Sequence, residues 1–282
     1  MLISVENVTH IYNQDQGVKA LDNINLNIDK NEFIGIVGAT GSGKSTLVQL
    51  FNGLITPTKG SVYVENVNIT DYNNKKDIRQ KIGLVFQYPE HQLFEETIYE
   101  EIAFGPKNLK LDESEIKKRV LEALNLVEMN PDKFEDRSPF ELSGGQQRRI
   151  AIAGVLAMKP KVLILDEPFA GLDPNGKNKL INLLTELNDD YNITIILITH
   201  HMSEIARLAS RIIVMNEGKI VLNGSPEKIF TQVAKLKEFS LDLPMITEIL
   251  FRLKDNGLNV RTDIFTVKEA AEEISAKLRG KV

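Results

Sequence analysis

Residues 38–45, Gly38-Ala39-Thr40-Gly41-Ser42-Gly43-Lys44-Ser45, decide the fold. They fit G-x-x-x-x-G-K-[ST], the spacing of a phosphate-binding loop. The apolar run Phe33, Ile34, Ile36 and Val37 precedes them, and Leu47, Leu50, Phe51 and Leu54 recur at helical spacing after them. The loop is therefore expected between a strand and a helix. In that setting the glycines let backbone N–H groups wrap phosphate oxygens at the positive end of the helix. Lys44 would hold the β- and γ-phosphates, and Ser45 would offer its hydroxyl to Mg²⁺. Thr46 follows directly and joins the candidate nucleotide-binding residues.

Such a loop needs a second group at the metal. Asp166 supplies it at the end of the apolar run Val162-Leu163-Ile164-Leu165, because strand ends are where α/β proteins build ligand sites. Neighbouring side chains on a strand diverge, so Glu167 is free to orient and deprotonate an attacking water instead, which makes it the candidate general base. Leu142-Ser143-Gly144-Gly145-Gln146 lies twenty residues before Asp166 and opens the helical pattern Ile150, Ala153, Leu156, Ala157. Ser143, Gly145 and Gln146 at a helix start form a second candidate anion site.

Outward from these motifs the chain reads as α/β. Leu2, Ile3, Val5 and Val8, then Leu21, Ile24, Leu26 and Ile28, predict an antiparallel β subdomain. A short strand at Leu84 to Phe86 leads into a mainly helical subdomain over about 90–157, with breaks expected at Gly105-Pro106 and Arg137 to Pro139. Val162 to Leu165 and Ile193 to Ile198 are unbroken apolar runs, as parallel strands covered on both faces require. Ile212 to Met215 and Ile220 to Leu222 flank the turn Asn216-Glu217-Gly218-Lys219 as a hairpin. The core is expected to span 1–230. A helical appendage over 231–282 starts its later helices behind Pro244 and at the capping box Thr266 to Glu269.

The 282 residues carry a net charge of −5, the wrong sign for a nucleic-acid-binding arm. There is no cysteine, which excludes disulfides and thiolate chemistry. Met1 to His10 lacks the pattern of a signal peptide, and no apolar run approaches the ~18 residues of a membrane span, so a cytoplasmic location is expected and any membrane role must come through a partner. His10 and His91 have no metal-ligand spacing with the other two histidines, so no zinc site is assigned.

Taken together, Gly38 to Ser45, Leu142 to Gln146 and Asp166-Glu167 resemble the ATP-binding subunits of ABC transporters over residues 1 to about 230. The resemblance implies a P-loop ATPase cassette whose loop faces the signature Leu142-Ser143-Gly144-Gly145-Gln146 of a second subunit, so that ATP joins a head-to-tail dimer. It implies that Gln87, after Leu84-Val85-Phe86, links the metal and water to a transmembrane partner, and that His200 contacts the γ-phosphate. His201 stands where many members have Asp. Tyr12 fits the residue that stacks on adenine, and Ala170-Gly171-Leu172-Asp173 fits the loop that touches the partner subunit.

The stretch Gln87-Tyr88-Pro89-Glu90-His91-Gln92-Leu93-Phe94-Glu95-Glu96-Thr97, with Ala103-Phe104-Gly105-Pro106 and Ala151 to Met158, is similar to the ATPases of energy-coupling factor transporters, which import vitamins and transition-metal ions. The match is to the second of their two paralogous types. It implies a partner ATPase, as a heterodimer with a paralogue or a homodimer, together with a transmembrane scaffold and a substrate-capture membrane subunit. The subunit would sit at the cytoplasmic face of the cell membrane. Leu93 and Phe94 read either as apolar contacts to the scaffold or as anchors of the helical subdomain. Glu90, Glu95 and Glu96 read as receivers of its arginines. The appendage reads equally as a dimer contact or as a lid on the core. The ATPase of another ABC transporter type is the alternative, and a soluble ABC ATPase acting on nucleic acid or ribosomes is the alternative from a different class.

Overall fold

The structure, a computed structural model, describes residues 1–12, 17–70 and 75–279; among these the side chains of Lys75 and Glu90 are not described. The acidic position Glu90 is thus outside what can be described at the side-chain level. Ten strands and twelve helices follow one another among the described residues. Strands β1 (Ile3–Tyr12) and β2 (Val18–Ile28) precede β3 (Phe33–Val37), helix α1 (Lys44–Phe51), β4 (Lys59–Val64) and β5 (Val67–Asn68). Helix α2 (Lys75–Lys81) leads into β6 (Ile82–Val85), and α3 (Ile98–Asn108), α4 (Glu113–Leu126), α5 (Pro131–Phe134) and α6 (Gly144–Leu156) form the helical stretch. Then come β7 (Val162–Asp166), α7 (Pro174–Asp189), β8 (Thr194–Ile198), α8 (Met202–Leu208), β9 (Arg211–Asn216) and β10 (Lys219–Gly224). The chain closes with α9 (Pro226–Phe230), α10 (Val233–Glu238), α11 (Met245–Asp255) and α12 (Val267–Arg279).

Two sheets result. The first has the order β2-β1-β4-β5 and is antiparallel. The second has the order β10-β9-β3-β8-β7-β6, parallel from β9 to β6 with β10 antiparallel at its edge. Strands β3, β6 and β8 are buried at every residue, which explains their unbroken apolar sequence. Leu26 and Ile28 of β2 are buried while Asn25 and Asn27 face out, which explains its alternation.

Four local expectations need correction. Helix α1 ends at Phe51, because Gly53 adopts a left-handed φ of 68° and stops it, so Leu54 is an exposed loop residue. Strand β6 ends at Val85, and Phe86 lies beyond it. Helix α3 runs through Gly105-Pro106 instead of breaking there. Pro106 falls in its last turn, where the lost N–H costs one hydrogen bond and only two further residues follow. Strands β4 and β5 are additional; Glu65 and Asn66, both at positive φ, make the turn between them.

Beyond residue 230 the chain stays on the main core through Leu236 and Leu241. Leu250, Leu258, Val260, Ile264 and Ala270 build a small core of their own. Thr266 and Glu269 bond to one another in front of α12, Thr266 Oγ1 donating to Glu269 Oε2 at 2.7 Å and accepting from Glu269 N–H at 3.3 Å. No described helix is long and apolar enough to cross a membrane.

Candidate nucleotide site

The phosphate loop leaves the carboxyl end of β3, the third strand of the larger sheet, where parallel neighbours β8 and β9 end beside it. Its shape depends on glycine. Gly38 has φ 156°, and a Cβ there would lie 2.3 Å from the Met215 carbonyl oxygen and 2.5 Å from Ser42 Oγ. Gly43, at φ 101°, caps α1, and a Cβ on it would meet the Ala20 carbonyl oxygen at 2.5 Å. Lys44 folds back over the loop and donates from Nζ to the carbonyl oxygens of Gly38 at 2.8 Å and Ala39 at 2.9 Å. Burial lowers its pKa, against the pull of Asp166 and Glu167, which raise it. A partly desolvated ammonium facing two carboxylates is well suited to exchange carbonyl partners for phosphate oxygens.

Asp166 closes β7, and its Oδ2 accepts from Ser45 Oγ at 3.1 Å. Burial raises its pKa, with Glu167 adding to the rise and Ser45 and Lys44 opposing it. A serine hydroxyl and one carboxylate are hard oxygen donors. That set fits Mg²⁺, which takes one or two protein oxygens and fills its shell with phosphate oxygens and water.

Glu167 follows in the left-handed region at φ 48°. Its side chain is 15% exposed, and its carboxylate is held from two sides. Thr199 Oγ1 donates to Oε2 at 3.0 Å, and the His200 backbone N–H donates to Oε1 at 3.1 Å, with His200 Nδ1 3.0 Å from the same oxygen. The imidazole of His200 is 70% exposed, so it reaches outward from the carboxylate it contacts. His201 stacks on it with ring centroids 4.3 Å apart. Burial, then Lys177, lowers the His201 pKa, which favours its neutral form. Gln87 lies exposed two residues past β6, whose Val85 pairs with Leu165 of β7, so it emerges beside the Asp166–Glu167 end of the sheet. Tyr12 is half-exposed at the end of β1, its hydroxyl 3.4 Å from Thr46 Oγ1 and its ring edge-on to His10.

The structure therefore brings together Lys44, Ser45, Asp166, Glu167 and His200, with Tyr12 reaching the start of α1. The signature segment stands apart from them. Ser143 caps α6, and its N–H and Oγ both bond to Gln146 Oε1, at 3.0 and 3.1 Å. Ser143, Gly145 and Gln146 line a cavity of about 180 Å³ between α6 and α7, to which no residue of 38–46 contributes. Two residues that sequence reading passed over take part. Thr199, fully buried, orients Glu167, and its place next to His200 was the available signal. Arg148 is buried in α6 and bonds to the backbone after Glu167; an arginine in a helical pattern carries no such signal.

Comparison with known proteins shows the family. The sequence profile of the family described as ABC transporter matches residues 21–170. The chain is 52% identical over 283 residues to the energy-coupling factor transporter ATP-binding protein EcfA2 of Caldanaerobacter subterraneus subsp. tengcongensis, covering 99% of each. It is 45% identical over 275 residues to the EcfA1 protein of the same organism, covering 97% of this chain and 98% of that one. Among solved structures, cbiO1 from Clostridium perfringens, part of the ABC transporter complex cbiONQ, superposes with a TM-score of 0.75 at 40% identity, covering 89% of this chain and 98% of that one. A dimeric ATP-binding cassette in a post-hydrolysis state with ADP and Pi superposes with a TM-score of 0.71 at 34% identity, covering 80% and 99%.

Proposed function

The chain belongs to the ABC transporter ATPases, and within them to the ATP-binding subunits of energy-coupling factor transporters; on that premise we propose that it hydrolyses Mg²⁺-ATP in a composite site shared with a second ATPase. The observation that carries this reading is the arrangement at the end of β7, with Asp166 on the Ser45 hydroxyl and Glu167 gripped by Thr199 and His200.

In this reading Gly38 to Thr46 cradle the phosphates with backbone N–H groups, Lys44 neutralises the β/γ oxygens, and Tyr12 stacks on adenine. Ser45, Asp166 and Gln87 hold Mg²⁺, which supplies charge neutralisation at the γ-phosphate. Glu167 takes the proton of the attacking water, and His200, exposed beside it, contacts the γ-phosphate. Ser143, Gly145 and Gln146 face outward to complete the site of the partner. Cutting the link between base and water is the direct test. Glu167→Gln should keep ATP binding and lower turnover by ~10²–10⁴, and near-parental turnover would refute the assignment.

The partner ATPase is a paralogue, in keeping with the two related protein names among the relatives, EcfA2 and EcfA1. A transmembrane scaffold and a substrate-capture subunit complete the assembly, which imports a vitamin or a transition-metal ion. The subunit then lies peripherally on the cytoplasmic face of the membrane. Residues 1–230 form the ATPase domain, with the helical subdomain at about 90–157, and 231–282 the appendage.

The segment after Gln87 supports docking. Leu93 is buried at 6% exposure and anchors the helical stretch, whereas Phe94, at 56%, stands out edge-on to exposed Phe104. The N–H groups of Phe94 and Glu95 both donate to Glu101 Oε2, fixing the segment to α3. An aromatic pair flanked by Glu95 and Glu96 suits a basic, partly apolar helix of the scaffold.

A further inference from the structure

Arg148 is the fifth residue of α6, the helix that Ser143 opens. Its guanidinium belongs to a side chain only 7% exposed, and Nη1 donates to the carbonyl oxygens of Pro168 at 2.8 Å and Ala170 at 2.7 Å. Pro168 is the residue next to Glu167. A charged donor withdrawn from water onto two carbonyls makes a strong, geometrically demanding contact.

What it grips is the segment between the general base and α7. Glu167 keeps a left-handed φ of 48°, which a residue with a side chain holds only where its surroundings fix it. Thr199 and His200 hold the Glu167 carboxylate, and the Ala170 N–H bonds to the Glu167 carbonyl at 3.2 Å. The Glu167 N–H bonds to the Ile198 carbonyl at 2.8 Å, and Asp173 caps α7 through the Gly176 N–H at 2.6 Å. All of these lie within the segment, the sheet and the elements that follow its strands. Arg148 arrives instead from α6, whose start is the signature. Leu172 also leans on that start, its Cδ2 3.7 Å from where a Gly145 Cβ would be.

We propose that Arg148 is a positioning residue that ties the signature helix to the backbone just after Glu167, so that seating of Ser143 to Gln146 on a partner's nucleotide sets the general base in this chain's own site. The inference rests on the composite-site reading above. A helix of this length moves as one rigid piece, and a displacement of its start is carried to Pro168 and Ala170 through one hydrogen bond each rather than through a compliant apolar contact. Each chain thereby reports the occupancy of its neighbour's site to its own water-activating carboxylate. The consequence is that the two sites fire in concert.

The test uses the chain assembled with its partner ATPase. Arg148→Gln should lower ATP turnover ~10–100-fold while leaving the ATP dissociation constant of this chain within twofold. In a Glu167→Gln background, where the base is already lost, the same substitution should leave ATP-driven association of the subunits within twofold. Unchanged turnover overturns the proposal. So does an equal loss of association in the Glu167→Gln background, because that would make Arg148 a support of the signature alone. Absence of ATP-driven association in Glu167→Gln with Arg148 intact is a separate outcome that refutes the composite site itself, and the proposal with it. Arg148→Lys guards against misfolding of the first variant. Lacking the planar guanidinium fork, it should give turnover severalfold below the parent at unchanged ATP affinity, and parental turnover would count against the proposal.

Discussion

Replacing Gly38 by alanine tests whether the loop owes its shape to close backbone approach. The new Cβ would sit 2.3 Å from the Met215 carbonyl oxygen and 2.5 Å from Ser42 Oγ. The Met215 carbonyl cannot yield freely, because Met215 is paired with Ile220 inside the sheet, whereas Ser42 Oγ can turn about its own side-chain bond. Overpacking of this kind costs about 1–3 kcal/mol, and the φ of 156° adds roughly another 1 kcal/mol of strain. Gly41 is the control, because its φ of 80° imposes similar strain but a Cβ on it meets nothing within 4 Å. The difference between the two variants isolates the steric part, about 1–3 kcal/mol, or roughly 2–6 °C in melting temperature for a chain of this size. Displacing the loop also misaligns at least one N–H aimed at phosphate, so ATP should bind Gly38→Ala about 10–100-fold more weakly. Thermal unfolding by circular dichroism and ATP titration by calorimetry read both effects. Equal losses in Gly38→Ala and Gly41→Ala would refute the steric argument.

Two other predictions follow from the surface. Glu65 bonds to Lys81 at 2.9 Å and Lys161 at 2.6 Å, and these lysines hold its pKa down to about 2. A depressed carboxylate pKa contributes stability above its ordinary value of 4.5 that is lost as the pH falls toward about 2. Glu65→Gln should therefore cost about 1 kcal/mol at neutral pH and flatten the acid limb of the unfolding profile, and an unchanged limb would contradict the linkage. Reversing Glu95 and Glu96 to Lys should leave the fold and ATP binding intact yet abolish co-purification with the membrane subunits and uptake. Undiminished uptake by that double variant would mean that force passes through another surface.

The order of legible and illegible parts follows the range of the forces involved. The phosphate loop was readable because its chemistry is local: glycines, lysine and serine act within eight consecutive residues on a strand-to-helix turn. Asp166 and Glu167 were readable because a parallel strand buried on both faces leaves its mark in four apolar residues ahead of them. Strand β4 escaped because Val62 and Val64 alternate with only Ser61 and Tyr63, too short a pattern beside Gly60. Gly105-Pro106 read as a break because proline removes a donor, whereas in the last turn of α3 that loss is a single bond. Leu93 and Phe94 were indistinguishable as neighbours in sequence. The short 3-10 turn at Pro89–Gln92 sends one into the core and the other outward. The roles of Arg148 and Thr199 depend on partners 20 to 32 residues away along the chain, which no local pattern encodes.

The central claim is that each nucleotide is sandwiched between the loop of one subunit and the signature of the other. Gly145→Asp addresses it most directly, because a Cβ at Gly145 finds only Leu172 Cδ2 at 3.7 Å, so the fold accepts the side chain while its charge repels a γ-phosphate. The measurement is photolabelling by a vanadate-trapped azido-ATP in the assembled pair of ATPases, with the substitution in this chain alone. The account predicts that the trapped label disappears from the partner subunit, while this chain, whose own loop still faces an intact signature, binds ATP as the parent does when vanadate is omitted. Loss of label from this chain with retention on the partner would contradict it.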